Sequence, residues 1–177
     1  MSTVTIMRGL PGSGKTHWLK QGRFDVVCSA DDYFVQPDGS YVFDAKKIRE
    51  AHFACFRKFL FAVGTVREPD LDPAGPAEER SDPPSGGSSG LLRVAVDNTG
   101  LMLWEVSPYV LAAESYGHTV QLVEMVVPAD LAFHRQTHGV SRENFEQMAR
   151  RLESALPWWQ ALRVDGVTGK QIVSRPR

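Results

Sequence analysis

The shortages in this sequence are its first guide. Cysteine is scarce, with only Cys28 and Cys55 in 177 residues. Two cysteines without metal-ligand spacing exclude a disulfide scaffold and a cysteine-rich metal site, and both are expected to be reduced and buried. An excess of charge of one sign is missing too: 20 Lys and Arg stand against 21 Asp and Glu, for a net charge of −1. Such a chain has no global attraction to nucleic acid or to an anionic membrane, so any anionic ligand requires a local site. No apolar run approaches the ~20 residues that span a bilayer. The opening "MSTVTIM" is too short and too uncharged for a secretory signal. The expectation is a cytoplasmic protein with no membrane contact and no obligatory protein partner. Its 42% hydrophobic and 23% charged residues are ordinary for a globular chain, and its length suits one domain over residues 1–177.

Four short aliphatic runs follow one another: Val4–Met7, Val26–Cys28, Val94–Val96 and Val120–Val127. Each is nearly continuous in apolar residues, the pattern of strands covered on both faces of a parallel sheet. Helical patterns separate them. In "DAKKIREAHFACFRKFLFAV", Ile48, Ala51, His52, Cys55, Phe56, Phe59 and Val63 recur at steps of three and four, with Asp44 as N-cap and Gly64 as stop. A second helix is expected from Glu105 to Tyr116, ending at Gly117. A third opens at Ser141 and is ended by Pro157. Ile172–Val173 suggests a last strand, "DGVTGK" near position 165 a turn that could approach a bound base, and Asp38-Gly39 another turn. Alternating strands and helices predict an α/β architecture with right-handed crossovers. Residues 65–90 are rich in Pro, Gly, Ser and acids and read as a flexible loop inserted within the domain.

Between the first strand and the first helix lies "RGLPGSGKTHW". The spacing Gly9-x-x-x-x-Gly14-Lys15-Thr16 is a P-loop, in which bare backbone lets successive N–H groups converge on an anion at a helix N-terminus. Gly9, Leu10, Pro11, Gly12, Ser13, Gly14, Lys15 and Thr16 are therefore candidate nucleotide-binding residues. Lys15 reaches the β- and γ-phosphates and Thr16 offers its hydroxyl to Mg²⁺. The competing reading, a chance glycine turn, explains neither the preceding strand nor the following helix. "LLRVAVDNTG" ends a strand in Asp97, a candidate for the Mg²⁺ shell, although strands also end in Asp at simple turns. The expected cofactors are ATP and Mg²⁺, in a P-loop NTPase fold of three α/β/α layers around a mostly parallel sheet.

"VVCSADDYF" delivers Asp31 and Asp32 just past another strand, the sheet edge where ligands bind in open α/β folds. Transfer of a phosphoryl group to an alcohol needs a carboxylate to accept the hydroxyl proton, and Asp31 is the favoured base. The alternative is that either acid caps a short turn. "LAFHRQTHGVSRENFEQMARRLE" reads as a basic lid broken at Gly139. Arg135, near the break, is the first candidate to meet the transferred phosphate, with Arg142 and Arg151 behind it and Arg150 read as solvated. His134 and His138 flank the break without an assigned role, and His52 reads as a hydrogen-bonded core histidine. Trp18 and Trp104 are expected in the core, while Trp158 and Trp159 could stack on bases.

Taken in order, "MRGLPGSGKT", "CSADDYFVQPDGSYVFD", "EAH", "VDNTGLMLWEVSPYV" and "HGVSRENFEQMARRLE" resemble the polynucleotide-kinase-like P-loop kinases, the small Nedd-binding-protein-2-like group in particular. The resemblance spans most of the chain outside residues 65–90 and the last fifteen or so. It implies ATP-dependent phosphorylation of a polynucleotide 5′-hydroxyl. Lys15 and Thr16 would then hold phosphates and metal, Asp31 would act as base, Asp97 would lie near the metal, and Arg135 would serve as lid arginine. Two positions depart from the pattern: Phe34 stands where phage-type kinases carry an acceptor-gripping arginine, and Gly100 stands where "DNTN" has asparagine. The second candidate acceptor is therefore a small alcohol such as a nucleoside, sugar or antibiotic. A third reading is an ATP-binding module that transfers nothing.

Overall fold

A computed structural model describes residues 2–64, 92–154 and 166–173. Five strands, β1 (Thr3–Arg8), β2 (Val26–Cys28), β3 (Val94–Val96), β4 (Thr119–Val126) and β5 (Val167–Val173), form one sheet in the order β2-β3-β1-β4-β5. Every pairing is parallel. The helices are α1 (Lys15–Gln21), α2 (Ile48–Gly64), α3 (Leu103–Ser115), α4 (Ala129–Arg135) and α5 (Arg142–Ser154), with 3₁₀ turns at Asp31–Phe34 and Ala45–Lys47.

The near-continuous apolar strands are buried on both faces. Val4 and Ile6, Val94 and Val96, and Val120 and Leu122 point to one side, where they pack with Cys55, Phe59 and Val63 of α2 and Val106, Tyr109 and Val110 of α3. Met7, Ala95, Val123 and Met125 point to the other, under Leu19 and Trp18 of α1. The period of two in a pleated strand separates these sets. A third cluster, of Leu10, Leu101, Ala132, Phe145 and Ala149, ties α4 and α5 to the loops at the carboxyl end of the sheet. Burial of this kind contributes about 1.5–3 kcal/mol per large side chain.

Local signals set most boundaries. Asp44 accepts a hydrogen bond from Lys46 N at 2.9 Å, capping the 3₁₀ turn that runs into α2. Ser141 Oγ accepts from Asn144 N at 3.3 Å at the head of α5. The α3 helix runs Leu103–Ser115, two residues ahead of its expected start, because Glu105 reaches back to accept Leu101 N at 2.8 Å. Cys28 and Cys55 are free and buried.

Three expectations are corrected. Within "DGVTGK", the described residues form a turn at Gly166 and then a strand: Val167–Val173 runs in register with β4, from Val120↔Val167 to Val126↔Val173. Trp104 is 68% exposed, since its face of α3 points away from the sheet. His52 is also exposed, on the flank of α2 that borders the site described below. The expected loop 65–90, Pro157, Trp158 and Trp159 lie outside the described residues. Among the described residues, no helix is long and apolar enough to cross a membrane.

Candidate functional site

At the carboxyl end of the sheet, a cavity of about 1110 Å³ opens between the α1 N-terminus, the Asp31 turn and the α4–α5 connection. Pro11 to Thr16 form its floor, and Asp31, Asp97, Arg135 and Arg151 line its walls. Gly9 and Leu10 are buried beneath the loop and do not reach the cavity. Gly12 has φ +75°, and a Cβ there would lie 2.1 Å from Ala132 O and 2.7 Å from Gln136 N. Glycine at position 12 therefore allows both the left-handed backbone and the close approach of α4. Ser13 Oγ is buried with no hydrogen-bond partner among the described residues.

Lys15 is 8% exposed, and its Nζ donates to Gly9 O at 3.0 Å and Leu10 O at 2.9 Å. Burial lowers its pKa to about 8, against the opposing pull of Asp97 and Asp31. Thr16 Oγ1 donates to Asp97 Oδ2 at 2.6 Å. Burial raises the Asp97 pKa, with the Thr16 hydrogen bond and Lys15 acting the other way. A hydroxyl and a carboxylate held together beside a phosphate-binding loop are the donor types that Mg²⁺ takes when phosphates complete its shell. No cluster of three or more His, Cys, Asp or Glu suited to a metal occurs among the described residues.

The ends of β2 and β3 are laced together, which fixes the acidic turn. Asp97 N donates to Cys28 O at 2.8 Å and Ser29 Oγ to Asp97 O at 3.0 Å. Ala30 N donates to Asn98 Oδ1 at 3.0 Å, and Asp31 N to Ser29 Oγ at 3.3 Å. The two adjacent acids then diverge. Asp32 turns out to Lys58 Nζ at 2.9 Å, while Asp31 faces the cavity with half of its side chain exposed. Tyr41 OH donates to Asp31 Oδ1 at 2.9 Å, and His138 Nε2 lies 3.7 Å from Oδ2. Ser29, Asn98 and Tyr41 were missed in the sequence; each stands inside a motif that drew attention to its acidic neighbours.

Not every candidate converges. Arg142 lies outside the cavity: it pairs with Asp130 at 3.1 Å and Glu146 at 3.0 Å, and stacks over Phe133. Arg150 is exposed. Phe34 is buried against Tyr41 and Phe43, so position 34 serves packing rather than contact with an acceptor.

Several solved structures share this fold. Kti12 of Chaetomium thermophilum, solved with ADP-AlF3, superposes with a TM-score of 0.55 at 13% identity, over 96% of this chain and 88% of its own. The fold is that of a P-loop NTPase. Similar in fold are also AvrRxo1-ORF1:-ORF2 with ATP (TM-score 0.58, 15% identity, 92% of this chain and 49% of that one) and a Janibacter sugar kinase (0.51, 14%, 98% and 85%). In sequence, the chain is 32% identical over 154 residues to human NEDD4-binding protein 2, a match covering 82% of this chain and 7% of that protein. No family model matches.

Proposed function

We propose that this protein is an ATP- and Mg²⁺-dependent phosphotransferase that moves a γ-phosphate to an acceptor hydroxyl, with a polynucleotide 5′-OH as the favoured acceptor. One observation carries the reading: the glycine loop with Lys15, the Thr16–Asp97 pair and the Asp31 carboxylate all face a single cavity. The loop's N–H groups and Lys15 hold the phosphates, and Thr16 and Asp97 are the residues that would hold Mg²⁺. When bound, Mg²⁺ neutralises charge on the phosphate oxygens. Asp31 receives the proton that the acceptor hydroxyl gives up as the new P–O bond forms. Its Oδ1 already accepts from Tyr41, which leaves Oδ2 for the acceptor. Arg135 and Arg151, from opposite sides of the α4–α5 connection, favour charge that spreads over the transferred group.

The polynucleotide acceptor rests on the resemblance carried by "SADDYF", "DNT" and "HGV". A small-alcohol acceptor is the second reading, favoured by the buried Phe34 and by the net charge of −1. Transfer of labelled γ-phosphate to a panel of 5′-hydroxyl oligonucleotides, nucleosides and sugars separates them. A polynucleotide acceptor gives a signal that falls steeply with salt. Labelling of nucleosides or sugars alone overturns the first reading. Unchanged function in Asp31→Asn alongside loss in Lys15→Ala overturns transfer altogether and favours a binding module.

A further inference from the structure

The carboxylate assigned to the acceptor proton is half exposed, yet both of its oxygens have neighbours, and those neighbours come from separate parts of the chain. We propose that Tyr41 and His138 are a positioning pair that sets the orientation of Asp31, joining the acceptor base to the α4–α5 connection. This rests on the reading of Asp31 as base.

Tyr41 is ten residues from Asp31 and is brought back to it by a tight reversal. Gly39 N donates to Gln36 O at 2.9 Å, Gln36 N to Ser40 O at 2.8 Å, and Ser40 N to Asp38 Oδ1 at 2.9 Å. Gly39, at φ +83°, makes the turn, and Val35 bridges Tyr41 across it. The Tyr41 ring packs edge-on against buried Phe34, at 6.1 Å between centroids. The hydroxyl is thus held at one point in space, and it keeps its proton: burial first, then the Asp31 carboxylate, raises its pKa. A carboxylate bonded at one oxygen loses the rotation that a half-exposed aspartate otherwise has, and its second oxygen is turned the same way in every molecule.

His138 approaches that second oxygen from the other wall. It belongs to residues 136–141, where Gln136 bonds Val140 twice, through Nε2 to Val140 O at 3.2 Å and through Oε1 from Val140 N at 3.0 Å. That brace carries the imidazole as a unit, and its ring packs edge-on to Tyr41 at 5.1 Å. The base, the phenol and the connection therefore form one contact group. The contact is loose at 3.7 Å, so His138 steers the carboxylate without tying up the oxygen that the acceptor needs.

The test combines steady-state kinetics with a readout that requires no turnover. Tyr41→Phe keeps the ring and removes only the hydroxyl. It is expected to lower kcat about tenfold with KM for ATP within about twofold. His138→Ala, at an exposed position, is expected to lower kcat about threefold. In an Asp31→Asn background neither change lowers the residual rate further, because both act through that carboxylate. Separately, ultraviolet titration of the tyrosines in Asp31→Asn shows one phenol ionising at lower pH than in wild type, and the difference vanishes when Tyr41→Phe is added. A wild-type kcat in both Tyr41→Phe and His138→Ala, an equal further loss in the Asp31→Asn background, or an unmoved phenol titration overturns the pair. An Asp31→Asn enzyme at the wild-type rate that still shows the titration change overturns the base reading while leaving the contact standing.

Discussion

Gly12→Ala is the sharpest perturbation that the structure offers. The added methyl would sit 2.1 Å from Ala132 O, where ordinary contact begins near 3.4 Å, so the end of α4 must recede by about 1 Å. Alanine at φ +75° costs about 1–2 kcal/mol. Overpacking against backbone adds about 1–3 kcal/mol. Separating Gln136 N from Ala132 O, now hydrogen-bonded at 3.1 Å, adds about 1 kcal/mol. The sum is roughly 3–6 kcal/mol, or a fall in Tm on the order of 10 °C for a domain of this size. Gly39→Ala is the control, because Gly39 has a similar φ of +83° and nothing within 4 Å of the new atom. Its cost is the conformational one alone, about 1–2 kcal/mol. Thermal melts of the two variants, with ADP binding measured by calorimetry, decide the matter. A Gly12→Ala protein that melts with Gly39→Ala and binds ADP like wild type refutes the close approach of α4 to the loop.

Other outcomes follow from the same geometry. Lys15 has a folded pKa near 8 against 10.5 when unfolded, so from about pH 8 to pH 10.5 the unfolded chain binds more protons and stability rises with pH. Other groups titrate in that range. The readout is therefore wild type minus Lys15→Met in denaturant melts, and the difference should grow in favour of wild type by up to about 3 kcal/mol across the window, shrinking when ADP is present. Arg8 is buried and holds Glu124, Gly100 O, Leu101 O and Leu152 O, so Arg8→Met should cost about 3–5 kcal/mol in urea unfolding. The exposed Arg142→Met should cost less than about 1 kcal/mol. Burial and the neighbouring Cys55 push the Cys28 thiol up to about 12, so thiol reagents at pH 8 should label it only as fast as the chain unfolds.

The parts legible in the sequence were those that one local rule decides. The β1 and β3 runs announced themselves because both strand faces are buried, and Gly9 to Thr16 because a phosphate loop restricts side chains at set positions. The β5 strand was read short because Thr168, Lys170 and Gln171 are exposed at the sheet edge; pairing with β4 holds the strand where apolar content does not. Trp104 and His52 misled for a related reason. Each falls on an amphipathic helix near its apolar stripe, and only the packed helix shows which side of the stripe meets the sheet. Tyr41 was hidden because its partner lies across a reversal of the chain, and spacing says nothing about where such a turn aims a hydroxyl.

The strand that carries the phosphate loop lies at the middle of the sheet, paired with β3 and β4, and Thr3 faces Thr119 across 116 residues of sequence. During synthesis that strand leaves the ribosome long before either neighbour exists. Its hydrogen-bonding edges stay open until most of the described chain has emerged, and closing such long loops is slow. Assembly of the site is thus a late event in the life of the nascent polypeptide, and a chain that stops short of β3 would hold the glycine motif but have no sheet on which to mount it.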